Sequence, residues 1–284
     1  MKARKLLIAL ITVTVWGCSM RRLAIENYEW LATRAAVNFA DLTSDQKDQF
    51  KTNLRSLSQT IRDKQLGSTL KALDALPEIR DPAAAAKLIA ELSDGFRMAA
   101  GEACRTFAPL LSGFSPAQLD HLQRKLAERN EKYDPRHNGG LVTYRAYRQT
   151  EARSNAEDWF GPLNDAQLVA LDSQPAKDSG APDTWENDYL AYRLESQQIF
   201  VGILREHRGH AGELERDCLR FVERPDEYLS AKGQKTRALH REHRNKTGLT
   251  LLTSLEPPQR AHFRKEIDRL IRDLNAWSAH IGNL

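Results

Sequence analysis

The chain of 284 residues is poor in cysteine and methionine, with three of each. Three cysteines cannot form the dense disulfide framework of a small secreted scaffold, and no Cys-x-x-Cys motif occurs. Long apolar runs are missing. The uncharged stretch Leu6–Trp16 has eleven residues. As a helix it would span about 16 Å, roughly half of a ~30 Å hydrocarbon core, which is too short for a permanent transmembrane helix. Sustained two-residue alternation is absent, and Val and Ile are sparse, which argues against a sheet. Gly-x-Ser-x-Gly, His-Glu-x-x-His and P-loop motifs are absent as well. Neither sign of charge dominates. There are 42 Lys+Arg and 38 Asp+Glu; residues 1–17 hold three of the cations and no anion, which leaves 39 against 38. Such a chain lacks the clustered basic footprint of a nucleic-acid binder.

Three cations in Met1–Lys5 precede the short apolar run, the pattern of a secretory signal. The run ends Val15-Trp16-Gly17-Cys18, which resembles the lipobox of bacterial lipoproteins. That resemblance implies a diacylglycerol thioether on Cys18, cleavage after Gly17 and acylation of the new amino terminus. Two or three acyl chains hold a protein stably on a bilayer. Ser19, where Asp would favour inner-membrane retention, implies the outer membrane, facing the periplasm. The alternatives are an ordinary signal with a chance cysteine, or an uncleaved anchor. The expected organisation is a signal at 1–17 and a single all-helical periplasmic domain at 18–284.

The rest reads as an all-α, elongated bundle of amphipathic helices. Phe263, Ile267, Leu270, Ile271, Leu274, Trp277 and Ile281 form one apolar stripe on a charged helix. Phe50, Leu54, Leu57 and Ile61, then Leu66, Leu70, Leu73 and Leu76, form another. "YDPRHNGG" (133–140) and "SQPAKDSGAPD" (173–183) are Pro/Gly/polar loops, the second a candidate hinge, and "RGHAG" (208–212) is a turn.

One pattern occurs four times: Leu42…Gln46, Phe114…Gln118, Leu163…Gln167 and Leu255…Gln259. Irregular spacing excludes a solenoid. The chemistry is that of a helix start. Thr43, Ser115 and Asn164 are N-caps, and Gln46, Gln118 and Gln167 at N3 complete capping boxes. Pro116 and Pro257 take the first helical position. Glu256 is a poorer cap, so the copy ending in Gln259 is degenerate. Leu-Thr-x-x-Gln at 42–46 resembles the repeated motif of small helical periplasmic stress chaperones. A wider set, the lipobox with "RRLAIENYEWL" (21–31), "FADLTSDQ" (39–46), "LQRKLAERNEKY" (122–133) and the last Leu-x-x-x-Gln helix, resembles an uncharacterised family of helical proteobacterial lipoproteins. It implies fold and location, and no activity.

Cys104 and Cys218 are left for an oxidising compartment, as a disulfide or as two buried thiols. The pairs His207/His210 and His240/His243 share helix faces, but flanking arginines oppose a metal, and none is expected. "EYLSAKGQ" (227–234) is similar to the core motif of lipase-specific foldases, yet Arg224 and Tyr228 miss the family's spacing and Gln234 replaces its Glu. Glu186, Asp188 and Glu195 are carboxylates without an identifiable acid–base pairing. Trp185, Tyr189 and Tyr192 read as core. The expectation is therefore a module without cofactor or catalytic residues. It would act on an envelope protein partner or on unfolded clients through a groove lined with Leu, Phe and aromatic residues. A hydrolase of envelope polymers is the alternative.

Overall fold

A computed structural model describes residues 25, 27–173 and 185–282. Among them the fold is all-α, without a strand. The helices are α1 (Tyr28–Ala40), α2 (Ser44–Ile61), α3 (Gly67–Ala75), α4 (Pro82–Ser112), α5 (Pro116–Asn130), α6 (Gly140–Phe160), α7 (Asp165–Asp172), α8 (Trp185–Glu206), α9 (Ala211–Glu223), α10 (Ala231–Thr253) and α11 (Pro257–Gly282). No described helix is long and apolar enough to cross a membrane. Cys18 and nearly all of the candidate hinge lie outside the described residues.

α2 and α3 are continuous through a π-helical turn, Arg62–Leu66. The apolar stripe explains it. Its steps are three or four residues except between Ile61 and Leu66, where the step is five, and a turn widened to i→i+5 keeps Leu66 on the buried face.

Two hydrophobic clusters sit near opposite ends of α4. Ala108 and Leu110 join Leu42, Phe114, Leu119, Leu204 and Leu214 in one. Leu88 joins Leu73, Leu252, Leu255, Phe263 and Ile267 in the other. The 31 residues of α4 rise about 46 Å at about 1.5 Å each, so this helix connects the two cores. Trp277 and Ile281 of α11 close a third cluster with Ile25 and Leu66.

The helix pairing repeats. α1 packs on α5 and α2 on α4; likewise α6 packs on α11 and α7 on α10. Each set is a helix, a tight turn and a helix crossing a second such unit, and the four Leu/Phe-x-x-x-Gln turns are where they meet.

Candidate functional site

Thr43, Ser115 and Asn164 are N-caps, each accepting from the N3 backbone N–H while the N3 glutamine accepts from the cap N–H. In the fourth copy only the second bond forms, from Glu256 N to Gln259 Oε1 at 3.0 Å. Thr43→Ala is expected to lower stability by about 0.5–2 kcal/mol, measured by urea unfolding; an unchanged midpoint would contradict the cap.

What the repeats do together is not written in their spacing. The glutamines meet in pairs. Gln118 Nε2 donates to Gln46 Oε1 at 2.6 Å and to the carbonyl of Asp41 at 3.1 Å. Gln259 Nε2 donates to Gln167 Oε1 at 2.8 Å and to the carbonyl of Pro162 at 2.6 Å. Gln167 Nε2 returns a bond to Gln259 Oε1 at 3.0 Å and reaches the carbonyl of Ser254 at 3.3 Å. Asp41, Pro162 and Ser254 each directly precede a motif, so the two clasps share a register. His121 Nε2 donates to the Asn38 carbonyl and His262 Nε2 to that of Asp158, three residues beyond the glutamine in both cases. Each clasp ties the starts of two helices to the ends of the helices before them. These residues therefore hold the scaffold and present no free chemistry.

Cys104 on α4 and Cys218 on α9 form a disulfide, Cα to Cα 5.8 Å, with both residues buried. The carboxylates that could have served a hydrolase are engaged. Glu186 receives two bonds from Arg145, at 2.6 and 2.9 Å. Asp188 pairs with Lys232 at 2.7 Å, and Glu195 accepts from the backbone N–H of Ser230 at 2.6 Å. The last bond explains the "LSAKGQ" stretch. Ser230 caps α10 through Gly233 N, and Glu195 supplies from α8 the acceptor that a side chain at N3 would otherwise provide. A Cβ at Gly233 would collide with that carboxylate.

The histidines split as well. His207 Nε2 donates to Asp217 at 2.7 Å. His240 lies in a ring stack with Tyr189 and Trp185, centroids 4.7 and 6.0 Å away. Beside it the Arg193 guanidinium covers the Tyr133 ring at 4.0 Å, its Nε buried without an acceptor. Burial, with Arg244, His243 and Arg193 nearby, holds the His240 pKa down at about 4. In the unfolded chain the ring protonates near 6.5. Between these values the unfolded state binds more protons, so this group removes stability as pH falls from 6.5 to 4 and removes none above 6.5. His240→Gln is expected to flatten the pH dependence of the unfolding free energy in that window; an unchanged slope would contradict the assignment. No group of three or more metal-ligating side chains forms among the described residues.

Two concave surfaces are charged rather than lined with Leu, Phe and aromatic residues. Two adjoining hollows, one of about 430 Å³ along α9 and one of about 550 Å³ between α4, the π turn and the C-terminal end of α9, share Glu223 and Arg224. Their walls are charged: Arg97, Glu102 and Arg105 on α4, Glu215, Arg216, Arg220 and Glu223 on α9, Arg224 at the C-cap of α9, and Lys64 at the π turn. The apolar contributions are Met98 and Leu219, with half-exposed Phe96 close by in sequence. The stripe logic places Leu and Phe on buried faces, and the cores have consumed them. The four-residue recurrence of Arg216, Arg220 and Arg224 was visible in the sequence; that Arg224 shares a hollow with Arg97 and Arg105 was not.

The profile of a family of unknown function, DUF6279, matches residues 38–230. That region contains the first clasp, the disulfide and both walls of the charged groove. No curated protein and no solved structure matches the chain.

Proposed function

We propose that this chain, which belongs to the DUF6279 family of unknown function, is a lipid-anchored, non-enzymatic docking protein of the bacterial cell envelope. The observation that carries the docking reading is the composition of the groove between α4 and α9. Arginine outnumbers lysine five to one there, and Met98 lies among the arginines. Arg and Met are enriched at protein–protein interfaces and Lys is depleted, although Glu102, Glu215 and Glu223 also line the hollows. Four arginines on two helices tied by a buried disulfide, with Arg224 at the C-cap of α9, make a rigid surface, which limits the ordering cost of association. The lipobox at Cys18 and a disulfide suited to an oxidising compartment support the location.

The chaperone version is less well supported. Client capture needs a contiguous apolar surface, and the exposed large apolar side chains are dispersed over five helices: Trp30 on α1, Phe96 and Met98 on α4, Val142 and Tyr147 on α6, Val169 on α7 and Leu194 on α8. The hydrolase alternative loses its candidate carboxylates to Arg145, Lys232 and the cap of α10.

A photo-cross-linking side chain at Met98 in cells is expected to trap one discrete adduct, with none at the still more exposed Val169. Adduct smears at both positions would indicate non-specific client binding, and no adduct at Met98 would overturn the docking reading. Cys18→Ser should abolish palmitate labelling; unchanged labelling would overturn the anchor.

A further inference from the structure

We propose that the outward face of α1, built on Trp30 and Arg34, lies against the lipid bilayer and sets how the chain stands on it, an inference that rests on the anchor at Cys18 proposed above. The tether is short. Six residues, 19–24, separate Cys18 from Ile25, and Ile25 is already buried with Leu66, Trp277 and Ile281. Seven residue steps reach at most about 25 Å when fully extended, so the acylated cysteine lies within that distance of the point where the chain enters the fold. α1 starts three residues later, at Tyr28. The end of the molecule that carries the start of α1 is therefore the end held near the membrane.

α1 packs on α2 and on α5. Its exposed side chains recur at steps of three and four, Asn27 at the N-cap, then Trp30, Arg34 and Asn38, so they form one outward line. Trp30 is 57% exposed, more than any other Trp, Tyr or Phe among the described residues. The Arg34 guanidinium lies 5.2 Å from its ring centroid and makes no ion pair with a described residue. The neighbouring carboxylate, Glu29, is taken by Arg55, which donates to it at 2.8 and 2.9 Å. The line thus joins an apolar ring to a cation, with no carboxylate among its described members. Residues 19–26 add Arg21, Arg22 and Glu26, again a net positive charge. An indole settles at the level of the lipid headgroups because its ring is apolar and its N–H polar. Arginine lays its stem along apolar surface while the guanidinium reaches phosphate oxygens. One large apolar side chain is too small a core for a protein interface, which buries about 800 Å² per partner. It suffices at a bilayer, because the anchor makes the contact intramolecular at an effective concentration of about millimolar. The acyl chains supply the affinity and α1 supplies the orientation.

The test uses the mature, acylated chain in vesicles of phosphatidylethanolamine and phosphatidylglycerol, part of the lipid being brominated on the acyl chains close to the headgroup. Bromine quenches an indole that touches the lipid. The parent emission is expected to be quenched, and Trp30→Phe, which removes the exposed indole and keeps an aromatic ring, should reduce the quenched fraction at least about twofold. Arg34→Glu, which leaves the indole in place and reverses the charge facing the anionic headgroups, should reduce it as well. Parental quenching in either variant, with an unchanged circular dichroism spectrum, overturns the inference. A photo-cross-linking side chain at Trp30 in cells is expected to gain the mass of a phospholipid. A protein adduct instead, whether with a second copy or with another chain, overturns the lipid contact. The mass of the mature chain reads the anchor separately. If the diacylglycerol is present and Trp30→Phe is quenched like the parent, the anchor stands and the α1 contact falls. If the diacylglycerol is missing, the anchor falls and this inference with it.

Discussion

Gln167→Glu is expected to lower the unfolding free energy by about 3–5 kcal/mol at neutral pH, the range found when a buried charge is left uncompensated. Gln167 is fully inaccessible, 0% exposed. Its Oε1 accepts from the cap N–H of Asn164 and from Gln259 Nε2. Its Nε2 faces three oxygens: the Ser254 carbonyl, the Ser254 hydroxyl and Gln259 Oε1. A carboxylate would turn a donor into an acceptor opposite those oxygens. Glutamate and glutamine are near-equivalent in an isolated capping box, so the preference arises from the pair. Desolvation would raise the pKa of the introduced acid above its unfolded value near 4.3. The folded variant then binds more protons, and part of the loss should be recovered as pH falls towards that value. Gln46→Glu in the half-exposed first clasp should cost only about 1 kcal/mol. Chemical denaturation of both variants at pH 7 and pH 5 checks the ranking. Equal losses at the two sites would contradict the buried-clasp account.

Removing the disulfide should be comparably severe. Cys104 and Cys218 are 114 residues apart, and closing loops of this length restricts the unfolded chain strongly. Cys104→Ala/Cys218→Ala is expected to lose about 2–5 kcal/mol. α9 is a short helix, 13 residues, and the bond fastens it to α4 along the groove. Urea titration with intrinsic fluorescence, compared with the oxidised parent, measures the loss. An unchanged midpoint would contradict a formed bond.

Helix starts, the apolar stripes and the all-α class were legible in the chain because each depends on residues three or four apart. Thr43 with Gln46, Ser115 with Gln118 and Asn164 with Gln167 are complete within one turn. The step of five between Ile61 and Leu66 even carries the π turn. Tertiary structure alone decided which glutamine meets which. Gln46 and Gln118 are 72 residues apart, and Gln167 and Gln259 are 92. Nothing within either motif records its partner, and an N3 glutamine reads as a completed cap whether or not it also closes a clasp. The pairing of Cys104 with Cys218 was equally open, since burial suits a thiol as well as a bridge. Periodicity also predicted apolar residues without saying how many the cores would consume. Packing of α4 against α9 buried the aliphatic side chains and left charged residues of both signs along the hollows beside them. Charge on a helix is set by sequence, but whether it faces solvent or a second charged edge depends on how the helices dock.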